Sequence, residues 1–155
     1  MDIGGYLTGV VQDSIPASLI PALIFLIGVV VSFATGSSWG VWALGLPIAM
    51  PMAEALGISM TLTIGAVVSG GLFGDHCSPI SDTTIMSSAG ARCNHVAHVT
   101  TQLPYAMTVA AISFVTYIIA GFTRSAWISL PAGLLILVVV LVVIKKTQKP
   151  LKTES

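Results

Sequence analysis

Gly74-Asp75-His76-Cys77-Ser78-Pro79-Ile80-Ser81-Asp82-Thr83-Thr84 is the stretch on which the fold turns. Apolar sequence runs into it from residues 59–73 and continues beyond it only as far as residue 91. Two carboxylates, Asp75 and Asp82, lie inside it with no Lys or Arg in the same apolar stretch to pair with. A carboxylate at the bilayer centre costs about 2.5–3.5 kcal/mol on insertion scales, so both need polar company or water. Pro79 lacks an N–H, and its ring clashes with the preceding turn, so a continuous helix through this point is costly. Irregular backbone at membrane depth persists only where protein covers it or where it lines a cavity. The stretch therefore predicts a discontinuous helix beside a polar cavity, with neither half long enough to cross alone. Asp75 is expected to close the first half, and Ser81 or Asp82 to cap the second, with Thr83 and Thr84 in its first turn.

The composition of the whole chain agrees. Of 155 residues, 55% are hydrophobic and 8% charged; mean hydropathy is +0.96, and six Lys+Arg balance six Asp+Glu. A soluble domain carries charge on about 25% of its residues, which excludes an ordinary water-soluble enzyme as well as a disordered segment. The clustered cations are Lys145, Lys146, Lys149 and Lys152. With no basic stripe elsewhere to neutralise phosphates, nucleic acid is not an expected partner; the lipid bilayer is. Residues 1–14 hold no Lys or Arg, so they lack the positive start of a secretory signal, and the apolar segments are expected to be kept as structure.

Residues 15–35 carry no charge and reach across a hydrocarbon core of roughly 30 Å. They stop at Thr35-Gly36-Ser37-Ser38-Trp39-Gly40. Residues 41–55 resume with Pro47, Pro51 and Glu54 inside them, too short and interrupted for a plain span, and either cross or fold back. Residues 101–122, with Pro104 near their start, and residues 127–144 supply two further crossings. The expected fold is all-α and integral to the membrane, with four to five transmembrane helices including discontinuous or re-entrant segments. The division is an N-terminal extramembrane segment 1–14, a transmembrane domain 15–144 and a basic tail 145–155. The four tail lysines place the C-terminus in the cytoplasm by the positive-inside rule. Residues 92–98 then share that side and Arg124 faces the other. Tyr6, Trp39, Tyr105 and Trp127 near the span ends are either interfacial anchors or packing aromatics.

Chemistry concentrates in the break. Asp75, Ser78, Ser81, Asp82, Thr83 and Thr84, with carbonyls freed at the helix ends, form the oxygen-rich set that hard cations prefer, and sodium is the natural candidate. A carboxylate that holds either a metal ion or a proton exchanges one for the other, because both compete for the same lone pairs. His76 is a candidate proton relay, or else an orienting hydrogen-bond donor. Thr35, Ser37 and Ser38 form a second polar break, for which close packing at Gly36 and Gly40 is the competing account. Cys93, His95 and His98, joined by Asp75 and His76, outline an alternative membrane-bound zinc protein. Cys77 and Cys93 are otherwise expected to be buried thiols, and Glu54 an interfacial charge. No G-x-S-x-G nucleophile elbow is present, and an enzyme is not expected. Nor is a cofactor, Na⁺ and H⁺ being the transported ions.

Three segments carry a family resemblance. The runs Phe33-Ala34-Thr35-Gly36-Ser37-Ser38-Trp39-Gly40 with Leu46-Pro47-Ile48-Ala49, then Gly74 through Thr84 with Ile85, then Thr101-Gln102-Leu103-Pro104-Tyr105-Ala106, resemble the C-terminal part of the NhaC-type Na⁺/H⁺ antiporter family. The similarity covers residues 15–122. It implies half of an inverted-repeat fold of the ion-transporter superfamily in the plasma membrane. The implied activity is secondary transport exchanging Na⁺ for H⁺, with some relatives moving organic acids or amino acids. It also implies that Asp75, Ser78, Asp82 and Thr83 belong to the ion region, and Thr35, Ser37 and Ser38 to a second polar break. Members of the family are several hundred residues long. This chain is therefore expected to supply the second half, working with an N-terminal half-transporter chain or as a homo-oligomer, or else to stand as an inactive remnant or structural subunit.

Overall fold

The computed structural model describes Gly9 and residues 15–147, and every regular element among the described residues is helical. A 3₁₀ turn, Ala17–Leu19, leads into α1 (Ile20–Thr35); α2 (Ser38–Ala55), α3 (Met60–Cys77), the short α4 (Asp82–Gly90), α5 (His95–Thr123) and α6 (Ala126–Thr147) follow. The expectations for Tyr6, Lys149, Lys152 and the segment 1–14 fall outside the described residues, Gly9 apart. Among the described residues, three helices are long and apolar enough to cross a membrane by length and composition: Ala17–Thr35, His95–Thr123 and Ala126–Thr147.

Each boundary has a local cause. Pro21 sits in the first turn of α1, where a missing N–H costs nothing. Gly36, at φ +66°, ends the helix in the left-handed region with its N–H on the Ser32 carbonyl at 2.7 Å. The Ser59 hydroxyl accepts from the Leu62 N–H at the start of α3, and the Asn94 side chain accepts from the Ala97 N–H at the start of α5. Between α4 and α5, the N–H of Cys93 reaches the Ser88 carbonyl and that of Arg92 reaches Ala89, the paired bonds of a Schellman turn. The left-handed position there is Arg92, φ 52°, rather than glycine.

Three expectations from the sequence need correction. The region 41–55 is not a broken piece: α2 is continuous through Pro47 and Pro51. The two rings stand four residues apart on one exposed stripe, so the carbonyls they free, Ala43 and Pro47, share the outer face while the opposite side packs. The first half of the discontinuous segment does not halt at Gly74 but runs on to Cys77. Its stop is set by Pro79, which drives Ser78 into extended backbone at φ −71°, ψ 135°. Finally, α5 starts at His95 rather than near residue 101, so Pro104 lies inside the helix.

α3 is the hub, packing against α1, α2 and α5, while α6 lies on α5. Glycines make the α1–α3 approach possible. A Cβ on Gly70 would lie 2.6 Å from the Phe25 carbonyl oxygen, and one on Gly74 only 2.0 Å from the Ser32 carbonyl carbon. Gly28 and Ser32 on α1 thus oppose Gly70 and Gly74 on α3, a four-residue small-residue spacing on both helices. Trp42 of α2 rests over Gly71 and donates its indole N–H to the Val68 carbonyl at 3.2 Å. On the α5 side, Phe25 stacks on Tyr117 with ring centroids 5.1 Å apart, and the Tyr117 hydroxyl meets that of Ser69 at 2.8 Å.

Candidate functional site

The uncoiled residues 78–81 separate α3 from α4, and the chain turns so that hydroxyls of the second helix fall on the open end of the first. The Asp75 carbonyl, in the last turn of α3, is approached by Ser81 Oγ at 2.7 Å, Thr83 Oγ1 at 2.6 Å and Thr84 Oγ1 at 3.3 Å. Ser81 Oγ and Thr83 Oγ1 also lie 3.1 and 3.2 Å from Asp75 Oδ1, and 2.8 Å from each other. Ser81, Thr83 and Thr84 bring one hydroxyl proton each to these six close approaches, so half of them leave lone pairs facing lone pairs. The cluster is rich in oxygen and poor in protons.

Of the residues singled out from sequence, Asp75, Ser81, Thr83 and Thr84 come together here. Asp75 is half-buried, Ser81 and Thr84 are buried, and Thr83 lies at the exposed rim. Ser78 does not join them. It is buried, and its hydroxyl crosses to α1 and donates to the Phe33 carbonyl at 2.8 Å. Asp82 is exposed, and its carboxylate accepts from the neighbouring Thr83 N–H at 2.9 Å. Ser81 holds the N-cap position of α4 without a side-chain capping bond, since its hydroxyl is spent on Asp75. His76 is exposed, and its Nδ1–H donates to the Leu72 carbonyl at 3.0 Å.

The second break lies directly on the first. A Cβ on Gly36 would come within 2.9 Å of the Ile80 carbonyl carbon and the Ser81 nitrogen, so the turn between α1 and α2 is pressed against the uncoiled stretch. Ser38 is buried there and Ser37 half-buried, whereas the exposed Thr35 bonds back to its own helix at Val31. Gly40 meets nothing within 4 Å, so close packing belongs to Gly36 alone of the two.

The zinc arrangement is not assembled. Among the described residues no three His, Cys, Asp or Glu side chains come together. Both ring nitrogens of His95 are engaged, Nε2 with the Pro79 carbonyl at 2.8 Å and Nδ1 with Ser88 Oγ at 3.0 Å. Cys77 is buried as expected, but Cys93 is exposed, because the Schellman turn holds it at the protein surface. Glu54 is exposed, as are Trp39, Tyr105 and Trp127, and of the three aromatics Trp39 meets Trp42 edge-on with ring centroids 5.3 Å apart.

Ser32 escaped the sequence analysis. Its hydroxyl donates to the Gly70 carbonyl at 2.9 Å and accepts from the Gly74 N–H at 3.0 Å, the two groups that α3 would pair with each other. The legible trace was Gly28-x-x-x-Ser32 in an otherwise apolar run, matched by Gly70-x-x-x-Gly74.

Comparison with known proteins agrees with this architecture. The model of the Na⁺/H⁺ antiporter family matches residues 1–122. The chain belongs to the Na⁺/H⁺ antiporter family. It is 46% identical over 147 residues to an uncharacterized protein of Haemophilus influenzae, covering 94% of this chain and 28% of that one. Identity to the malate-2H(+)/Na(+)-lactate antiporter of Bacillus subtilis is 29% over 144 residues, 78% of this chain and 30% of the relative. To the Na(+)/H(+) antiporter NhaC of Alkalihalophilus pseudofirmus it is 48% over 60 residues, 38% and 13% respectively. The chain thus spans less than a third of the length of each of these relatives. No solved structure matches it. Family, relatives and apolar helices together make this a multi-pass membrane protein of the antiporter type.

Proposed function

We propose that this chain contributes the ion region of a secondary transporter that exchanges Na⁺ for H⁺, with Asp75 as the exchanging carboxylate. The observation that carries the reading is the cluster of Asp75 O and Oδ1, Ser81 Oγ and Thr83 Oγ1, whose approaches outnumber the protons available to bridge them. A sodium ion, which takes oxygen ligands, fits such a set; a proton on the Asp75 carboxylate relieves the same crowding by restoring a donor. Because either satisfies the site, each displaces the other. Thr84 supports the carbonyl from behind, and Ser78 ties the stretch to α1. His76, exposed and bonded to its own helix, serves as an entry-side proton carrier in this scheme. Asp82 stabilises the start of α4 and takes no first-hand part.

Sites in broken-helix transporters lie where two repeats meet, so the remaining wall comes from an N-terminal half or a second copy of this chain. The C-terminus, following Lys145 and Lys146, lies on the cytoplasmic side. No cofactor is required, and no bond of a substrate is made or broken. A second reading, exchange of an organic acid coupled to Na⁺, is favoured by the similarity to the malate/lactate antiporter along 78% of the chain.

The test uses inverted membrane vesicles from cells producing the chain alone or with a candidate N-terminal half. Na⁺ or Li⁺ is added to a preset proton gradient. Collapse of the gradient is expected in wild type, at least a hundredfold less in Asp75→Asn, and no more than severalfold less in Asp82→Asn. Equal loss in both variants removes Asp75 from its assigned role. Collapse driven by malate or lactate but not by Na⁺ alone selects the second reading.

A further inference from the structure

We infer that His95 is a positioning residue for the ion site: its imidazole straps the uncoiled stretch and α4 to the first turn of α5. The ring makes two bonds on two different elements. Nε2–H donates to the carbonyl of Pro79 at 2.8 Å, and Nδ1 meets the hydroxyl of Ser88 at 3.0 Å, which is also shared with the Ile85 carbonyl at 2.9 Å. Pro79 lies just before α4 and Ser88 near its far end. The Ser88 bond falls where the turn after α4 already ties the chain to the start of α5, so the Pro79 bond is the one that fixes the near end of α4.

α4 needs such a hold. It has nine residues, and isolated helices shorter than about 12–15 residues are marginal. Its exposed side chains far outnumber its buried ones, Thr84 and Ser88. The chain arranges the strap locally. The Schellman turn folds residues 91–93 tightly back on Ser88, and the Asn94 cap sets the first turn of α5, so the backbone of His95 is delivered beside Ser88 by short-range bonds alone. What the strap controls is the approach of Ser81 and Thr83 to Asp75, because those hydroxyls ride on the uncoiled stretch and on the first turn of α4. The consequence for sodium rests on the exchange reading above; the strap itself does not.

The experiment separates the two. The chain, together with any half that completes it, is reconstituted in lipid nanodiscs and proteoliposomes as wild type, His95→Ala, His95→Gln and His95→Asn. Gln places an N–H near the position of Nε2 and so retains the donor to Pro79; Asn does not reach it. Amide hydrogen exchange across residues 74–90 is expected to quicken at least tenfold in H95A and H95N and to stay near wild type in H95Q. In proteoliposomes the apparent KM for Na⁺ is expected to rise at least fivefold in H95A and H95N, with the maximal rate within about twofold, and to recover in H95Q. Wild-type amide exchange in H95A, or quick exchange with an unchanged KM, overturns the inference. If H95A is not recovered folded, the Gln and Asn pair carries the same comparison. If wild type moves no Na⁺, the exchange reading fails while the amide data still decide the strap.

Discussion

α6 and α3 are opposites. Among the described residues α6 has the most apolar span window, yet only 6% of that window is buried by the rest of the protein, against 33% for the window that contains α1. α3 holds six small residues among its 18, along with Asp75 and His76, yet α1, α2 and α5 all pack on it. The contrast separates two kinds of information. Apolarity says that a helix belongs in lipid, where neighbours offer no better hydrophobic environment than acyl chains. Association is left to close backbone approach and to hydrogen bonds, and these need Gly, Ser and Thr.

Substitutions on the two helices should therefore differ sharply. Gly74→Ala sets a methyl 2.0 Å from the Ser32 carbonyl carbon, backbone against backbone, so α1 and α3 must separate. A loss at or beyond the upper end of the usual overpacking range of about 1–3 kcal/mol is expected, read as a collapse of the folded fraction in thermal unfolding in detergent. Val138→Ala, on the half-exposed surface of α6, run beside it should stay within about 0.5 kcal/mol of wild type. Equal losses in the two would end the comparison.

Gly36→Ala tests whether the two breaks support one another. The left-handed conformation alone costs an alanine about 1–2 kcal/mol, and the 2.9 Å approach to Ile80 and Ser81 adds to it. Gly57, also left-handed at φ +63° but with nothing within 4 Å, isolates the first part; Gly57→Ala should lose less than Gly36→Ala by the same melting assay. Ser32→Ala removes the hydroxyl set between the Gly70 carbonyl and the Gly74 N–H. Its expected cost is about 1–2 kcal/mol, the loss of a buried hydroxyl bonded on both sides. Smallest is Arg92→Gly in the turn after α4. Relief of the positive φ outweighs the extra backbone entropy by less than about 1 kcal/mol, so a slight rise in Tm is expected.

The break around Pro79 was legible because its cause is local. A proline, two unpaired carboxylates and a run of hydroxyls inside apolar sequence announce irregular backbone wherever the rest of the chain goes. The division of labour within the break was not legible. Ser78 and Ser81 stand three apart with the same side chain, but one turns to Phe33 on α1 and the other to Asp75. Likewise Asp82 and Asp75 looked equivalent in sequence, and only the turn at residues 78–81 leaves one exposed and places the other among hydroxyls. The continuity of α2 was hidden for a related reason. Pro47 and Pro51 are helix breakers by propensity, and their shared outward face matters only once α3 covers the other side.

From sequence alone follow the all-α membrane class, the two polar breaks and the chemistry of their side chains, since each depends on composition or on residues a few positions apart. Tertiary structure decided which oxygens meet. The breaks at Gly36 and at residues 78–81 are joined by the glycine seam of α1 and α3, and His95 reaches Pro79 from sixteen residues away. Such meetings depend on where helices cross, and a crossing is fixed by the shapes of two surfaces together, which neither stretch of sequence contains by itself.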